Sequence, residues 1–414
     1  MNCDCGSTTA MLNPKEAMRL VLERAAPLGV ERVALSRASG RVLAQTVVAD
    51  RDYPPFDRAM MDGYAVRLAD AGRRVAVVGE ATPGVAWSGR LTDGQAVSIM
   101  TGAPCPDGAE LVVPVEQTVR EGDGVGLPDD LRPGRHIAYR GSDRPSGADL
   151  LGAGARITPL ALAVMATVGV VQPLVRRRPK VALVATGNEL LDAAARPERY
   201  QIRDSNTPLL LGVLHRLGVS DTLCLRAADR PEEIRARLEE CESYEIVLLT
   251  GGVSAGRYDF IPEVVAGLGW RVVFHKLAQQ PGKPLLFAER NGRLLFGLPG
   301  NPLAVHLCAQ RYVAAAIRGM SGLPALPARG VGRLAAGCAN RGERTLFLPA
   351  RAQPKDAAGG WSVEPMAMHG SADIFPASRA NAMLELAPGQ ALCSGAEVQF
   401  EWLAGECAGE GDPA

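Results

Sequence analysis

No excess of either charge is present in this chain: lysine plus arginine and aspartate plus glutamate both number 45, so the formal net charge is zero. A global field that would gather nucleic acid or an anionic membrane is therefore missing, and any anion site has to be built locally. No CxxC pair occurs among the nine cysteines. The one close pair, Cys3 and Cys5 in the leader MNCDCGS, supplies too few ligands for a tetrahedral metal site. Scattered single cysteines point to a reducing cytoplasm. The same leader lacks a basic n-region and an apolar h-region, so export is not expected. No apolar run reaches the ~20 residues of a spanning helix; LALAVMATVGVV at 160–171 stops at Gln172 and Pro173. The histidines, His136, His215, His275, His306 and His369, show no metal-ligand spacing, and no Ser–His–Asp arrangement can be read. A phosphate-binding P-loop is excluded as well. The PGKP at 281–284 has Leu277 where the first glycine should stand and Pro284 where Ser or Thr should follow Lys283.

What is present is hydrophobic substance for several cores. At 414 residues and 47% hydrophobic content the chain suggests two to four domains of ~100–200 residues each. NPKEAMRLVLERA reads as an amphipathic helix, and the segments after it, through VSIMTGAPCPDGAELVVPVEQT, read as short strands and tight turns. In that half DRAMMDGYA places Asp62 before a glycine, a pattern that a simple turn also satisfies. The run at 160–171 reads as a buried helix with Thr158 and Pro159 as its cap and first turn, and RRRPK at 176–180 as a solvated boundary. From Lys180 to about residue 320 strands and helices alternate. KVALVAT, DTLCLRAAD, EIVLLT, RVVFHKL and RLLFGL are strands, and a helix with an N-cap at Asn206, the helix RPEEIRARLEE and the long helix LAVHLCAQRYVAAAIRGM lie between or after them. This pattern predicts an α/β domain with a mainly parallel sheet.

In such a sheet ligands sit beyond the carboxyl ends of the strands. TGNEL follows the first strand, TGGVSAG follows EIVLLT and PGNP follows RLLFGL, so the conspicuous motifs gather on one rim. Glycines there allow close backbone approach, and free N–H groups at a helix start favour phosphate, so an anionic, phosphate-bearing ligand is expected. Glu189, Asp204 and Asp259 punctuate the same loops. Carboxylates beside phosphate imply a divalent cation, most often magnesium, although each is equally at home as a cap or a solvated loop residue.

The ordered set TGAPCPDGAELVV, RGSDRPSGA, TGNEL, DSN, TGGVSAGRYDF, PGKP, GLPGNP and HGSADI resembles that of the molybdopterin molybdenumtransferases, the molybdenum-inserting enzymes related to the E domain of gephyrin. The resemblance runs from about residue 11 to 405. It implies a multidomain α/β plus β fold, in which a helical module combines residues 11–45 with 141–178 and a β-rich domain covers 46–140. An α/β molybdopterin-binding domain would cover 179–326 and a small C-terminal β-barrel 328–405. It also implies a cytoplasmic homodimer with an active site shared between subunits, small-molecule substrates, and possible contact with other proteins of molybdenum cofactor biosynthesis. The reaction so implied uses adenylylated molybdopterin, molybdate and Mg2+, and gives molybdenum cofactor and AMP.

Residue by residue, the resemblance gives Asp259, Asp204 and Glu189 as the magnesium carboxylates, acting on the pyrophosphate and the AMP leaving group. Gly251, Gly252 and Ser254 would donate to phosphate, and Gly300 and Asn301 to the pterin side. Lys283, with Pro284 beside it, and Ser371 would meet molybdate, while Asp62, Thr101 and Asp143 would close the site from the other modules. Two departures remove positive charge from that pocket: Gln280 stands where the family commonly has lysine, and Pro349 where arginine is usual. Arg344 and Arg351 are near enough to compensate, and Arg58, Ala59 and Met60 replace residues that are usually small and polar. A tungstate-handling paralogue is therefore an alternative. An adenylyltransferase would share the α/β domain but need none of the other modules. A nucleotide pyrophosphate hydrolase of the competence-damage type, or a non-catalytic scaffold, would show no molybdate-dependent turnover.

Overall fold

The computed structural model describes residues 11–253, 260–355 and 360–404. Two compact units are present, one made of 33–38 and 45–173, the other of the remaining segments.

The first unit is built on a six-stranded sheet in the order Leu111–Pro114, Gly63–Val66, Gln95–Ile99, Arg74–Ala81, Gly124–Gly126, Val119–Glu121. Alternation along each strand gives it two cores: Ala65, Val97 and Val112 pack on one face, Tyr64, Val66, Ala96 and Leu111 on the other. Helix Pro159–Thr167 starts as its sequence suggests, with the Thr158 hydroxyl accepting from the Ala161 N–H. It is not the buried helix that its apolar run implies. Only Ala161 and Met165 are buried within it, Leu160 is 80% exposed, and the positive φ of Gly169 follows just after the helix ends.

The second unit contains the α/β domain. Its strands are β1 (Val181–Thr186), β2 (Thr222–Ala227), β3 (Ile246–Thr250), β4 (Arg271–His275), β5 (Leu286–Arg290) and β6 (Arg293–Leu298), in the order β2-β1-β3-β6-β5-β4. The first four in that order are parallel, and β5 and β4 add an antiparallel edge. Both faces are covered, which is why the strands read as continuous apolar runs. Val181 and Leu183 of β1 enter one core with Leu248 and Phe296, whereas Ala182 and Val184 enter the other with Val247 and Leu295. Helices α1 (Asn206–Arg216), α2 (Pro231–Glu240) and α3 (Ile261–Gly267) connect the strands. The predicted long helix is a continuous helical rod from Pro302 to Met320 with a π segment at Ala309–Val313. The helix Pro14–Leu22, capped by the Asn13 side chain, packs Ala17, Met18 and Val21 into the same core as α1.

RRRPK is not a solvated boundary. Arg177 pairs with Glu245 at 2.6 Å, Arg178 donates to the Gly218 carbonyl at 2.6 Å, and Pro179 is buried. Beyond the rod, β7 (Arg329–Leu334), β8 (Thr345–Pro354), β9 (Trp361–Pro365), β10 (Ala382–Leu386) and β11 (Glu397–Trp402) close a five-stranded barrel in the order β7-β9-β8-β10-β11-β7. Its core includes Ala350, Val363, Leu384, Phe400 and Trp402. Buried Arg311 ties the rod to the barrel, donating to Glu401 at 2.7 Å with its guanidinium 4.0 Å from the centre of the Phe347 ring. A buried charge needs such partners to be tolerated. Among the described residues no helix is long and apolar enough to cross a membrane.

Candidate functional site: a cavity between the strand ends and the barrel

In the sheet β1 lies beside β3, and the chain leaves β1 toward β2 on one side but leaves β3 toward β4 on the other, so the connections diverge between these two neighbours. A crevice at the carboxyl ends of the strands follows from that reversal. Here it becomes a cavity of about 1160 Å³, because the loops after β1, β3 and β6 form one wall while the QQPGKP turn and segments of the barrel form the other.

Several close contacts give that wall its shape. Gly251 has φ +88, and a side-chain carbon on it would lie 2.7 Å from the Thr186 carbonyl oxygen, so only glycine fits. The Thr186 hydroxyl donates to the Thr250 carbonyl at 3.1 Å, joining the two loops beneath. Asn206, at the start of α1, donates its amide to the Gly300 carbonyl at 2.8 Å and so supports the PGNP loop. Asn301 stands just before the rod's first turn without a capping side-chain bond to it, and donates its amide to the Ser371 hydroxyl at 2.6 Å. Ser371 Oγ is thereby an acceptor from Asn301, and its own O–H proton stays available to a ligand.

The QQPGKP turn is held from within. Gln279 is 1% exposed; its Oε1 accepts from the Tyr312 hydroxyl at 2.6 Å and its Nε2 donates to the Pro281 carbonyl at 3.2 Å. Gly282 has φ +93, and an added side-chain carbon would lie 2.6 Å from both Cys308 Sγ and Gln279 Nε2. Burial pushes the Cys308 thiol up to about 12, so it packs as a neutral group. The same turn is attached to the barrel: Gln279 and Gln280 pair in parallel with Thr345 and Leu346, and Arg344 donates to the Gln279 carbonyl at 3.3 Å.

The expected site residues divide into four groups. Glu189, Gly251, Gly252, Lys283, Pro284, Gly300, Asn301 and Ser371 all line the cavity, as does Gln280. Asp204 does not. It is 5% exposed, its Oδ1 accepts from the Asn206 and Thr207 N–H groups at 3.0 Å, and its Oδ2 accepts from the Thr207 hydroxyl at 2.6 Å. Its carboxylate is engaged in starting α1. Ser254 and Asp259 lie outside the described residues. In the other compact unit, Asp62 accepts from both the N–H and the hydroxyl of Thr101, at 2.6 and 2.7 Å. Those bonds, the backbone one first, hold the Asp62 carboxyl below its usual range. Asp143 there faces Arg58 at 3.8 Å.

The two departures also separate. Gln280 is on the cavity wall, but Pro349 is not: Leu346 and Leu348 of β8 face the cavity, while Phe347 and Pro349 alternate onto the other side and are buried. The proline therefore takes no charge out of this wall directly. Arg344 lines the cavity and Arg351 does not.

Sequence reading missed two wall residues. Asp229 follows β2 as Glu189 follows β1, and it exchanges hydrogen bonds with Asn188 at 3.2 and 3.4 Å. Its position at a strand end was a usable signal, without a glycine motif to advertise it. His369 is the other, and its ring lies 3.0 Å from Asp373. Among the described residues, Glu189 and Asp229 are thus the carboxylates lining the cavity, Lys283 and Arg344 its fixed cations. Among the described residues no group of three or more His, Cys, Asp or Glu side chains is placed to hold a metal ion.

Comparison with known proteins agrees with this architecture. Residues 12–169 match the model described as MoeA N-terminal region (domain I and II), 182–319 the probable molybdopterin binding domain, and 331–403 the MoeA C-terminal region (domain IV). A molybdopterin molybdenumtransferase of Staphylococcus aureus (strain Mu50) is 32% identical over 384 residues, 91% of each chain. That of Synechococcus elongatus is 35% identical over 319 residues, 73% of this chain and 79% of its own. Two crystal structures of the molybdopterin biosynthesis MoeA protein from Pyrococcus horikoshii superimpose with TM-scores of 0.80 and 0.78 at 28% and 26% identity. They cover 95% of this chain and 99% and 100% of those. The chain belongs to the molybdopterin molybdenumtransferase family, enzymes of molybdenum cofactor biosynthesis.

Proposed function

We propose that the protein inserts molybdenum from molybdate into adenylylated molybdopterin with release of AMP. The observation that carries this reading is the cavity itself, where glycine loops at parallel strand ends meet a lysine turn and a barrel hydroxyl. Gly251 and Gly252 allow a phosphate to approach the backbone closely, with Ser254 as a further donor. Lys283, Arg344 and the Ser371 hydroxyl suit a tetrahedral dianion, two as cations and one as an oriented donor. Gly300 and Asn301 hold the pterin side, and Pro284 keeps the lysine turn rigid.

Magnesium suits the oxygen donors present. It is commonly held by one or two carboxylates together with substrate phosphates, and Glu189 and Asp229 share this wall. Those two would hold it, with Asp259 as a further carboxylate; Asp204 has its oxygens engaged at the helix start. Bound there, magnesium would neutralise charge on the pyrophosphate. Asp62, Thr101 and Asp143 belong in this reading to the site of a homodimer, contributed by the second subunit, and the setting is the cytoplasm. Other proteins of molybdenum cofactor biosynthesis are its further partners.

Purified protein supplied with adenylylated molybdopterin and Mg2+ is expected to release AMP only when molybdate is added. AMP release that ignores molybdate would turn the assignment to a pyrophosphate hydrolase, and binding without turnover would turn it to a scaffold. Gln280 on the wall favours one variation, a weaker or retuned oxyanion site that accepts tungstate as well.

A further inference from the structure

The loop that brings Ser371 to the cavity also brings His369, and its packing sets it apart from an ordinary surface turn. Met368 before it and Ile374 after it pack against Leu303 and Leu307 of the rod and Phe347 of the barrel. Between those anchors the Asn301 amide holds Ser371. Asp373 then gathers the loop onto itself. Its Oδ2 accepts from both His369 Nδ1 and the His369 N–H, at 3.0 and 3.2 Å, and its Oδ1 accepts from the Phe375 N–H at 3.3 Å. The bond from the His369 ring, and then those from the two N–H groups, hold the Asp373 carboxyl below its usual range.

An ionised carboxylate only accepts, so Nδ1 of His369 must carry a proton. Nε2 is left as the ring's one free position, on a side chain that is 92% exposed and lines the cavity. Among the described residues, the other charged and titratable groups lining the cavity are Lys283, Arg344, Glu189, Asp229 and Cys338. With Gln280 in place of a cation, the described residues of the lining supply two fixed positive groups against two carboxylates.

We propose that His369, oriented by Asp373, is a further oxyanion-binding residue of this cavity, meeting the dianion through Nε2 beside the Ser371 hydroxyl. The inference rests on the reading of the cavity as an oxyanion site. Its consequence is chemical: a neutral imidazole with Nδ1–H offers only a lone pair at Nε2, which repels an anion. Nε2 can donate only in the imidazolium form, so a dianion held there must bind together with a proton. Oxyanion binding at this position is therefore coupled to proton uptake.

The test is calorimetric titration of the full-length protein with sodium molybdate near neutral pH, repeated in buffers of different ionisation enthalpy. The dependence of the heat on the buffer gives the protons taken up. Wild type is expected to bind with uptake of a fraction of a proton. His369→Gln should bind about five- to tenfold more weakly, as befits a lost charge-assisted bond on an exposed side chain, and should take up none. Asp373→Asn keeps the ring but removes its tether, and should weaken binding and lower the uptake too. The thermal midpoints of both variants should match wild type. If wild type binds and His369→Gln keeps the same affinity and proton uptake, His369 has no part in binding, while the oxyanion reading stands. If wild type binds no molybdate at all, both fall together.

Discussion

Replacing Gln279 by leucine tests how the lysine turn is held. The substitution removes a side chain that is 1% exposed and leaves two buried groups without partners, the Tyr312 hydroxyl and the Pro281 carbonyl. Burial pushes the Tyr312 phenol well above its ordinary range, so the hydroxyl remains a donor that must find an acceptor. Each orphaned buried group costs about 1–3 kcal/mol. The better burial of leucine offsets part of the sum, which leaves about 3 kcal/mol of destabilisation. At about 2–4 °C per kcal/mol for a domain of this size, the melting transition should fall by about 6–12 °C. Tyr312→Phe alone should cost less, about 1–2 kcal/mol, by orphaning Gln279 Oε1. The double variant should be more stable than the sum of the singles by about 1 kcal/mol or more, because the groups share one bond. Thermal unfolding followed by tryptophan fluorescence, together with molybdate-dependent AMP release, checks both levels. A Gln279→Leu protein that melts within about 1 °C of wild type, or singles that add without coupling, would refute the claim that this network positions Lys283.

Four further outcomes are expected. Gln280→Lys adds a cation to the exposed wall of the cavity and should tighten molybdate binding about five- to tenfold, the size of about 1 kcal/mol at a solvated position; unchanged affinity in the same calorimetric titration would remove position 280 from the pocket. Arg344→Ala should weaken molybdate binding about tenfold while Arg351→Ala leaves it within about twofold, since only the first lines the cavity. Gly282→Ala forces a side chain onto φ +93 and against Cys308 and Gln279, and should lower stability by about 2 kcal/mol in chemical denaturation. Thr101→Val should raise the Asp62 carboxyl in an NMR titration, because both bonds that depress it involve Thr101 and the hydroxyl one is lost. The sign is that of a depressed acid: the stability from ionised Asp62 is full at neutral pH and is lost as pH falls through its folded value.

Much of the α/β domain is visible in the sequence because parallel strands covered on both faces must be continuous apolar runs, and because glycines mark where they end. The same logic makes Glu189, Gly251 and Gly300 visible as rim residues. What escapes reading depends on partners far away or on geometry without a period. Asp204 looks like a ligand carboxylate until the α1 start claims its oxygens. RRRPK looks solvated until Glu245 and the Gly218 carbonyl, far along the chain, accept its guanidinium groups. The His369–Asp373 bond spans four residues of a loop, where sequence spacing carries no expectation. Pro349 is the opposite case. The alternation of β8 alone places it on the face opposite Leu346 and Leu348, so its effect on the wall was open to argument from strand period.

The barrel is the part that distinguishes among activities. An α/β domain of this kind, by itself, would offer the loops after β1, β3 and β6 and the PGKP turn, the part of the wall that the proposed reading gives to the pterin and its phosphate. It would not offer Arg344, Ser371 or His369, which come from the barrel and its loops, nor the strand pairing that attaches Gln279 and Gln280 to β8. On the reading proposed above, the barrel completes the oxyanion side that Lys283 begins, and it is docked by the buried Arg311–Glu401 pair together with the apolar cluster of Leu303, Leu307, Phe347, Met383 and Leu403. An enzyme that only adenylylates the pterin has no need of that second wall, whereas one that must also hold molybdate beside it does. Weakening the dock with Glu401→Gln, which keeps the shape but removes the charge facing Arg311, should then weaken molybdate binding more than pterin binding. Equal loss of both would mean that the barrel supports the whole domain and has no specific tie to the oxyanion.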